Sequence, residues 1–202
     1  MSLPSEEVAR LDLYALLARL FHAGPDAPLL AAIVAQAAHF GTPGDAGASA
    51  LGTAWQALAE AVHTHDASDA TREYDGVFVG MGKAGVSLYA SHYLTENWKE
   101  LTLVNLRDEL LRIGLARKPG VTEPEDHLSA LLNVMGNLVQ RSIAVDNLLE
   151  QQRFFVSYLA PWYGQFCVDL AANAELAFYK QAGGLLRAFL DLEAKSFELA
   201  SN

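Results

Sequence analysis

Apolar side chains recur along this chain at spacings of three and four. Gly and Pro interrupt them at intervals, so the pattern predicts about eight helical segments and no sustained strand alternation. The first runs from about Ser5 to Phe21, with Val8, Leu11, Leu16, Leu17, Leu20 and Phe21 as its stripe, and Gly24 and Pro25 stop it. Asp26 and Pro28 read as the cap and first-turn proline of a second helix ending near Phe40. Gly41 to Ser49 is a loop by composition. Leu51, Trp55, Leu58 and Val62 mark a third helix; Ser68 or Asp69 is expected to cap a fourth, which carries Tyr74, Val77 and Phe78 towards Gly80.

Beyond a loop through Gly85, a long helix from about Thr95 to Leu115 is expected to turn Leu101, Val104, Leu110 and Leu111 inward. Thr122 and Glu125 spell a T-x-x-E capping box with Pro124 in the first turn, and Leu128, Leu131, Leu132, Met135, Leu138 and Val139 follow as an apolar face. A helix from about Asp146 to Leu159 ends before Pro161, after which Trp162, Phe166 and Leu170 point inward. The last helix, about Glu175 to Leu199, is expected to break at Gly183-Gly184. Ala and Leu together supply 65 of 202 residues, which strengthens the helical reading: an all-α, single-domain bundle of about eight or more helices spanning residues 1–202.

Charge narrows the partners. Fourteen Lys and Arg against 24 Asp and Glu leave −10, the wrong sign for neutralising a phosphate backbone, so no nucleic-acid partner is expected. The single cysteine, Cys167, excludes an internal disulfide and sits in an apolar stretch that suits a buried thiol. The amino terminus is polar and acidic, and no run approaches the ~20 apolar residues of a membrane span, so a cytoplasmic protein that does not span the membrane is expected.

Few residues carry chemistry. Gly80, Gly82 and Gly85 spell G-x-G-x-x-G, but that fingerprint works between a strand and a helix, and helix precedes it here. His63 and His65, two apart on a helix, point about 200° away from each other and make a poor metal pair. No nucleophile with an identifiable base occurs, so neither catalysis nor a cofactor or metal is expected. Two segments stand out. Glu123-Pro-Glu-Asp-His127 is the densest ionisable cluster, readable as an acidic first turn or as aimed carboxylates that suit a guanidinium. Ser87 to Leu94 holds Leu88, Tyr89, Tyr93 and Leu94, readable as core or as an aromatic-lined groove for an apolar peptide.

In one order the chain carries Glu73-Tyr74 with Val77-Phe78-Val79-Gly80, then Tyr89-Ala-Ser-His-Tyr-Leu94, then E-P-E-D-H at 123–127, then Tyr158-Leu-Ala-Pro-Trp162 with Phe166 and Leu170. That order resembles the TorD/DmsD family of cytoplasmic chaperones for molybdenum-cofactor oxidoreductases, over roughly residues 70 to 172. The resemblance implies an all-α, non-catalytic protein that binds the twin-arginine signal peptide or apo form of a molybdoenzyme catalytic subunit, assists cofactor insertion and proofreads before export. It implies a peptide site at Asp126 and His127 with Tyr89, Ser91 and Tyr93 lining the same region. Ser87 and Leu88 stand where the family often has a proline pair, and Tyr89 where many members have Trp. Charge chemistry extends that site: Glu123 and Asp126 are expected to hold the arginines, with Tyr89, Tyr93 and Phe78 near the apolar stretch. A loop at 80–90 is expected to act as a hinge, permitting a domain-swapped homodimer. Two other readings stand behind this one: a NarJ-like assembly chaperone of a membrane-bound respiratory reductase, and a nucleotide-binding enzyme using the Gly80–Gly85 loop.

Overall fold

The periodicity resolves into ten α-helices among the residues that the computed structural model describes, namely 4–40, 49–79, 85–94, 96–117, 120, 123–142, 144 and 146–200. In chain order they are α1 (Ser5–Leu20), α2 (Ala27–Ala37), α3 (Ala50–Thr64), α4 (Ala67–Tyr74), α5 (Ala90–Tyr93), α6 (Glu96–Arg112), α7 (Leu128–Arg141), α8 (Leu148–Tyr158), α9 (Tyr163–Ala172) and α10 (Phe178–Ala200). A 3-10 turn (Ala38–Phe40) extends α2, and a π-helical turn (Asp75–Val79) extends α4. The fold is all-α, as expected. Gly80 and Gly82 of the glycine string, and residues 80–84 of the expected hinge, lie outside the described residues. The chain divides into two units: one holds the residues up to Ala18 with Leu88–Trp162, the other Arg19–Ser87 with the residues from Tyr163 onward.

In the second of these units α10 packs on α3, α4 and α9, and α2 packs on α3. Asp26 caps α2 through the Leu29 N–H (2.9 Å), as the sequence suggests. Asp66, not Ser68 or Asp69, caps α4: its Oδ1 accepts from the amides of Ser68 and Asp69, while the Asp69 carboxylate reaches back to the Asp66 N–H. An aromatic cluster fills the core. Phe21 meets Phe166 at 5.6 Å, and Phe78 meets Tyr74 and Tyr179, each at 5.2 Å. The phenols are satisfied by the chain turn they enclose, Tyr74 donating to the His22 carbonyl (2.7 Å) and Tyr179 to that of Leu20 (3.0 Å). Cys167 is buried in this unit, and burial pushes its thiol up to about 12, so it stays protonated and inert.

The Glu73-Tyr74…Phe78 motif is therefore a fastening. The Glu73 carboxylate accepts the amides of Ala177, Phe178 and Tyr179 at 3.0–3.1 Å and so caps α10 from another helix. The expected break at Gly183-Gly184 does not occur; α10 runs unbroken for 23 residues. A Cβ at Gly183 would sit 2.7 Å from Leu170 Cδ1, so that glycine admits the close approach of α9 and the helix absorbs its low propensity.

In the other unit α7 is the central element. Leu128, Leu131, Leu132, Met135, Leu138 and Val139 are all buried, and Gly136 brings α1 close at Leu11 and Tyr14. The expected inward face of α6 is corrected. Leu106, Leu110 and Ile113 are buried, whereas Val104 and Leu111 are 53% and 67% exposed, and the Leu101 side chain lies outside the described residues. Positions 106, 110 and 113 form the i, i+4, i+7 stripe that docks, and residue 104 lies about 200° away from 106.

Polar bonds join α6 to α8. The Tyr158 hydroxyl donates to the Asn105 carbonyl (3.1 Å), Arg153 Nη2 to Glu109 (2.7 Å), and Arg112 to both Glu109 (2.8 Å) and Glu150 (2.7 Å). The Arg112 hydrogen bond, reinforced by Arg153 and opposed by burial, holds the Glu109 carboxyl down at about 2.

Two outcomes follow. Glu73→Ala should lower the urea-unfolding free energy by about 1–3 kcal/mol, since three amides of α10 lose their acceptor, with Glu73→Gln costing less. Glu109 binds its proton less readily folded than unfolded, so its contribution is present above pH 4.5 and lost as pH falls through about 2. The destabilisation by Glu109→Gln should be about 1–3 kcal/mol at pH 7 and should shrink across that window, measured by urea midpoints at each pH.

Candidate functional site

Six of the seven residues singled out by sequence lie in one unit, on two segments that meet. Leu128 N–H donates to the Leu88 carbonyl (2.8 Å) and Ala90 N–H to the Asp126 carbonyl (3.1 Å), so the backbones run antiparallel for two bonds around an isolated bridge between Tyr89 and His127. The pairing stops there because both strands turn into helix, α5 at Ala90 and α7 at Leu128.

The capping box read from Thr122 and Glu125 is corrected: α7 begins at Leu128, and Thr122 lies outside the described residues. The cap is His127, whose Nδ1 accepts the Ser129 N–H (3.2 Å), which places the proton of the neutral ring on Nε2. Glu123 to Asp126 therefore precede the helix and do not form its first turn.

Asp126 is 2% exposed. Its Oδ2 accepts the Ser91 N–H (2.9 Å) at the start of α5, while Oδ1 is buried with no hydrogen-bond partner. His127 is also buried, and its ring packs against that of Tyr89 in a T-shaped pair with centroids 5.0 Å apart. Burial, with the charges of Glu123 and Asp126 adding to it, raises the Tyr89 hydroxyl above its ordinary value, so it stays a neutral donor. Tyr93 stacks on buried Trp162 at 5.4 Å and 21°, and Ser91 is half-buried between the two tyrosines in sequence. Glu123 is exposed. Phe78 belongs to the other unit, where it is half-buried against Phe21, Tyr74 and Tyr179.

Sequence reasoning missed the role of Glu125. It does not cap a helix; Arg107 Nε donates to its Oε2 (3.1 Å) and Arg117 Nε stands 3.7 Å from its Oε1. Trp162 behind Tyr93 was also missed as part of this region. The acid run was visible in the sequence, but pairings across 18 and 69 residues were not. Among the described residues, no group of three or more His, Cys, Asp or Glu is placed to hold a metal ion, and no helix is long and apolar enough to cross a membrane. Carboxylates, neutral phenols and a stacked aromatic pair are the parts of a surface that binds a cation beside an apolar group.

Residues 45–168 match the family described as "Nitrate reductase delta subunit". The chain is similar to the chaperone protein TorD of Photobacterium profundum, 32% identical over 133 residues, covering 60% of this chain and 61% of that one. It is also similar to the chaperone protein TorD of Vibrio vulnificus, 30% identical over 152 residues, 68% and 69% of the two chains, and to that of Aliivibrio fischeri at 26%. The chain thus spans about three fifths of the length of the first relative. These relatives are named as chaperones, a role without catalysis.

Asp126→Ala removes the acceptor of the Ser91 N–H and should lower stability by about 1–3 kcal/mol in urea unfolding, while Asp126→Asn, which keeps an acceptor oxygen, should cost less than half of that.

Proposed function

This chain belongs to the nitrate reductase delta subunit family, which the TorD chaperones it matches share, and on that premise we propose that it is a cytoplasmic maturation chaperone for a molybdenum-cofactor oxidoreductase. In this reading it binds the twin-arginine signal peptide or the apo form of the catalytic subunit, assists cofactor insertion and withholds the client from export until that is done.

The observation that carries the peptide reading is the Asp126 carboxylate. A buried acceptor without a partner is costly, so a donor that reaches Oδ1 is rewarded for more than one at the open surface. Glu123, exposed at the rim, meets the cationic end of the peptide first. Tyr89, Ser91 and Tyr93 then offer ring faces and hydroxyls to the apolar stretch, and His127 fixes the junction by capping α7. A guanidinium suits this arrangement better than an ammonium, because its planar fork can meet two acceptors at once.

The family description favours a second reading, assembly of a respiratory nitrate reductase by recognition of an N-terminus lacking the arginine pair. Calorimetric titration separates the two. A client peptide with an arginine pair ahead of an apolar stretch should bind, and replacing both arginines by lysine should weaken it about tenfold or more. Equal affinity for the two peptides would remove the arginine site and leave the second reading.

A further inference from the structure

The carboxylates of the 123–126 segment are not bare in the ligand-free protein. Glu125 receives two guanidiniums of the chain itself, one at each oxygen: Arg107, from α6, at Oε2 (Nε and Nη2 both 3.1 Å), and Arg117, just beyond that helix, at Oε1 (3.7 Å). Arg117 also donates through Nη1 to the Glu123 carbonyl (3.4 Å). The two arginines come from separate places in the chain and converge on the segment that the preceding subsection assigns to the arginine pair of a client.

We propose that Arg107 and Arg117 are an internal stand-in for the client's arginines, and that Glu125 is the carboxylate for which the internal and the incoming guanidiniums compete. The inference rests on the signal-peptide reading and adds to it a binding residue and a mode of regulation.

Burial supports the exchange. The Glu125 side chain is only 10% exposed beneath its arginines, whereas Arg107 and Arg117 are 52% and 42% exposed. The carboxylate is held from outside by side chains already largely in water, at 3.1 and 3.7 Å where the contacts to Glu109 are 2.7–2.9 Å, so its pairs are the weaker ones. Burial raises the Glu125 carboxyl, but the Arg107 hydrogen bond and the charges of both arginines outweigh it, so the group is ionised and ready to accept. The adjoining Asp126 Oδ1 is the independent sign that the cluster takes a donor from elsewhere, being buried and unpartnered. Replacing one guanidinium at Glu125 by another is close to an even exchange. A lysine ammonium, lacking the fork, displaces them less well, so the occupied site rejects cationic peptides that lack arginine.

The test is calorimetric titration of a synthetic peptide, with an arginine pair ahead of an apolar stretch, into the full chain. Four proteins are compared: wild type, Arg107→Gln/Arg117→Gln, Glu125→Gln, and a charge-matched control, Arg19→Gln/Arg72→Gln, altered in the other unit. The Arg107/Arg117 variant should bind about three- to tenfold more tightly than wild type and discriminate less against the lysine version of the peptide. The control should stay within about twofold, and Glu125→Gln should bind about tenfold more weakly. Far-UV circular dichroism checks that each protein is as helical as wild type, and Arg117→Gln alone, a milder change, should give a smaller gain. An Arg107/Arg117 variant no tighter than wild type, a control that gains as much, or an unaffected Glu125→Gln overturns the stand-in. Failure of wild type and the Arg107/Arg117 variant alike to bind the peptide overturns the signal-peptide reading, and this inference with it.

Discussion

The candidate site hangs on the junction between residues 88–91 and 126–128. Two backbone hydrogen bonds and one carboxylate-to-amide bond join them, and α5 and α7 both begin there. An N-terminus of a helix presents unpaired amides with partial positive charge, so beginnings of this kind draw in acceptors. One is met by the buried Asp126 carboxylate, the other by the neutral His127 ring. Asp126 is thus committed on one oxygen before any ligand arrives. Its remaining oxygen is buried with no hydrogen-bond partner, so the junction combines a fixed geometry with an unspent acceptor.

Much of the fold was legible. The all-helical class, the apolar face at 128–139, the cap at Asp26 and the inward Trp162, Phe166 and Leu170 all follow from period and local chemistry, while the short α5 does not. The failures share a cause. The helix start near Thr122, the inward Val104 and Leu111 and the break at Gly183 were local inferences, and tertiary partners overrode each of them. The segment before Leu128 was claimed by residues 88–91, α6 docked on Leu106, Leu110 and Ile113, and Leu170 took the space a Cβ at Gly183 would need. For the site, residue types and their order along the chain were readable. Which carboxylate is buried, which is exposed and which is already answered by an arginine was not, because those properties belong to contacts between distant residues.

Two motifs that carried the family resemblance turn out to differ in kind. Glu73, Tyr74 and Phe78 hold a core: a carboxylate caps α10, a phenol satisfies a turn, and a ring fills space. E-P-E-D-H instead ends in a cap and a buried acid, and leaves Glu123 outside. A motif's specificity in sequence therefore says that residues are constrained, and only the pattern of burial and satisfied bonds says whether folding or recognition constrains them.

Net charge alone explains little of the recognition proposed here. A chain at −10 attracts any cationic segment, arginine or lysine, folded or not, and that attraction acts on encounter rate more than on choice of partner. Selection has to come from acids whose surroundings make them particular. Glu109 and Glu125 show how this chain treats such acids, seating each at about one tenth exposure beneath guanidiniums that face the solvent. At Glu109 the arrangement ties α6 to α8 through shared hydrogen bonds and serves stability. At Glu125 the same chemistry lies one residue from an acid with an unsatisfied oxygen, on a segment fixed at its other end by backbone pairing. Ion pairs of one kind thus differ in closeness and in neighbours, and under the exchange proposed above the second is the one in which an incoming guanidinium completes bonds that the protein alone leaves unfinished.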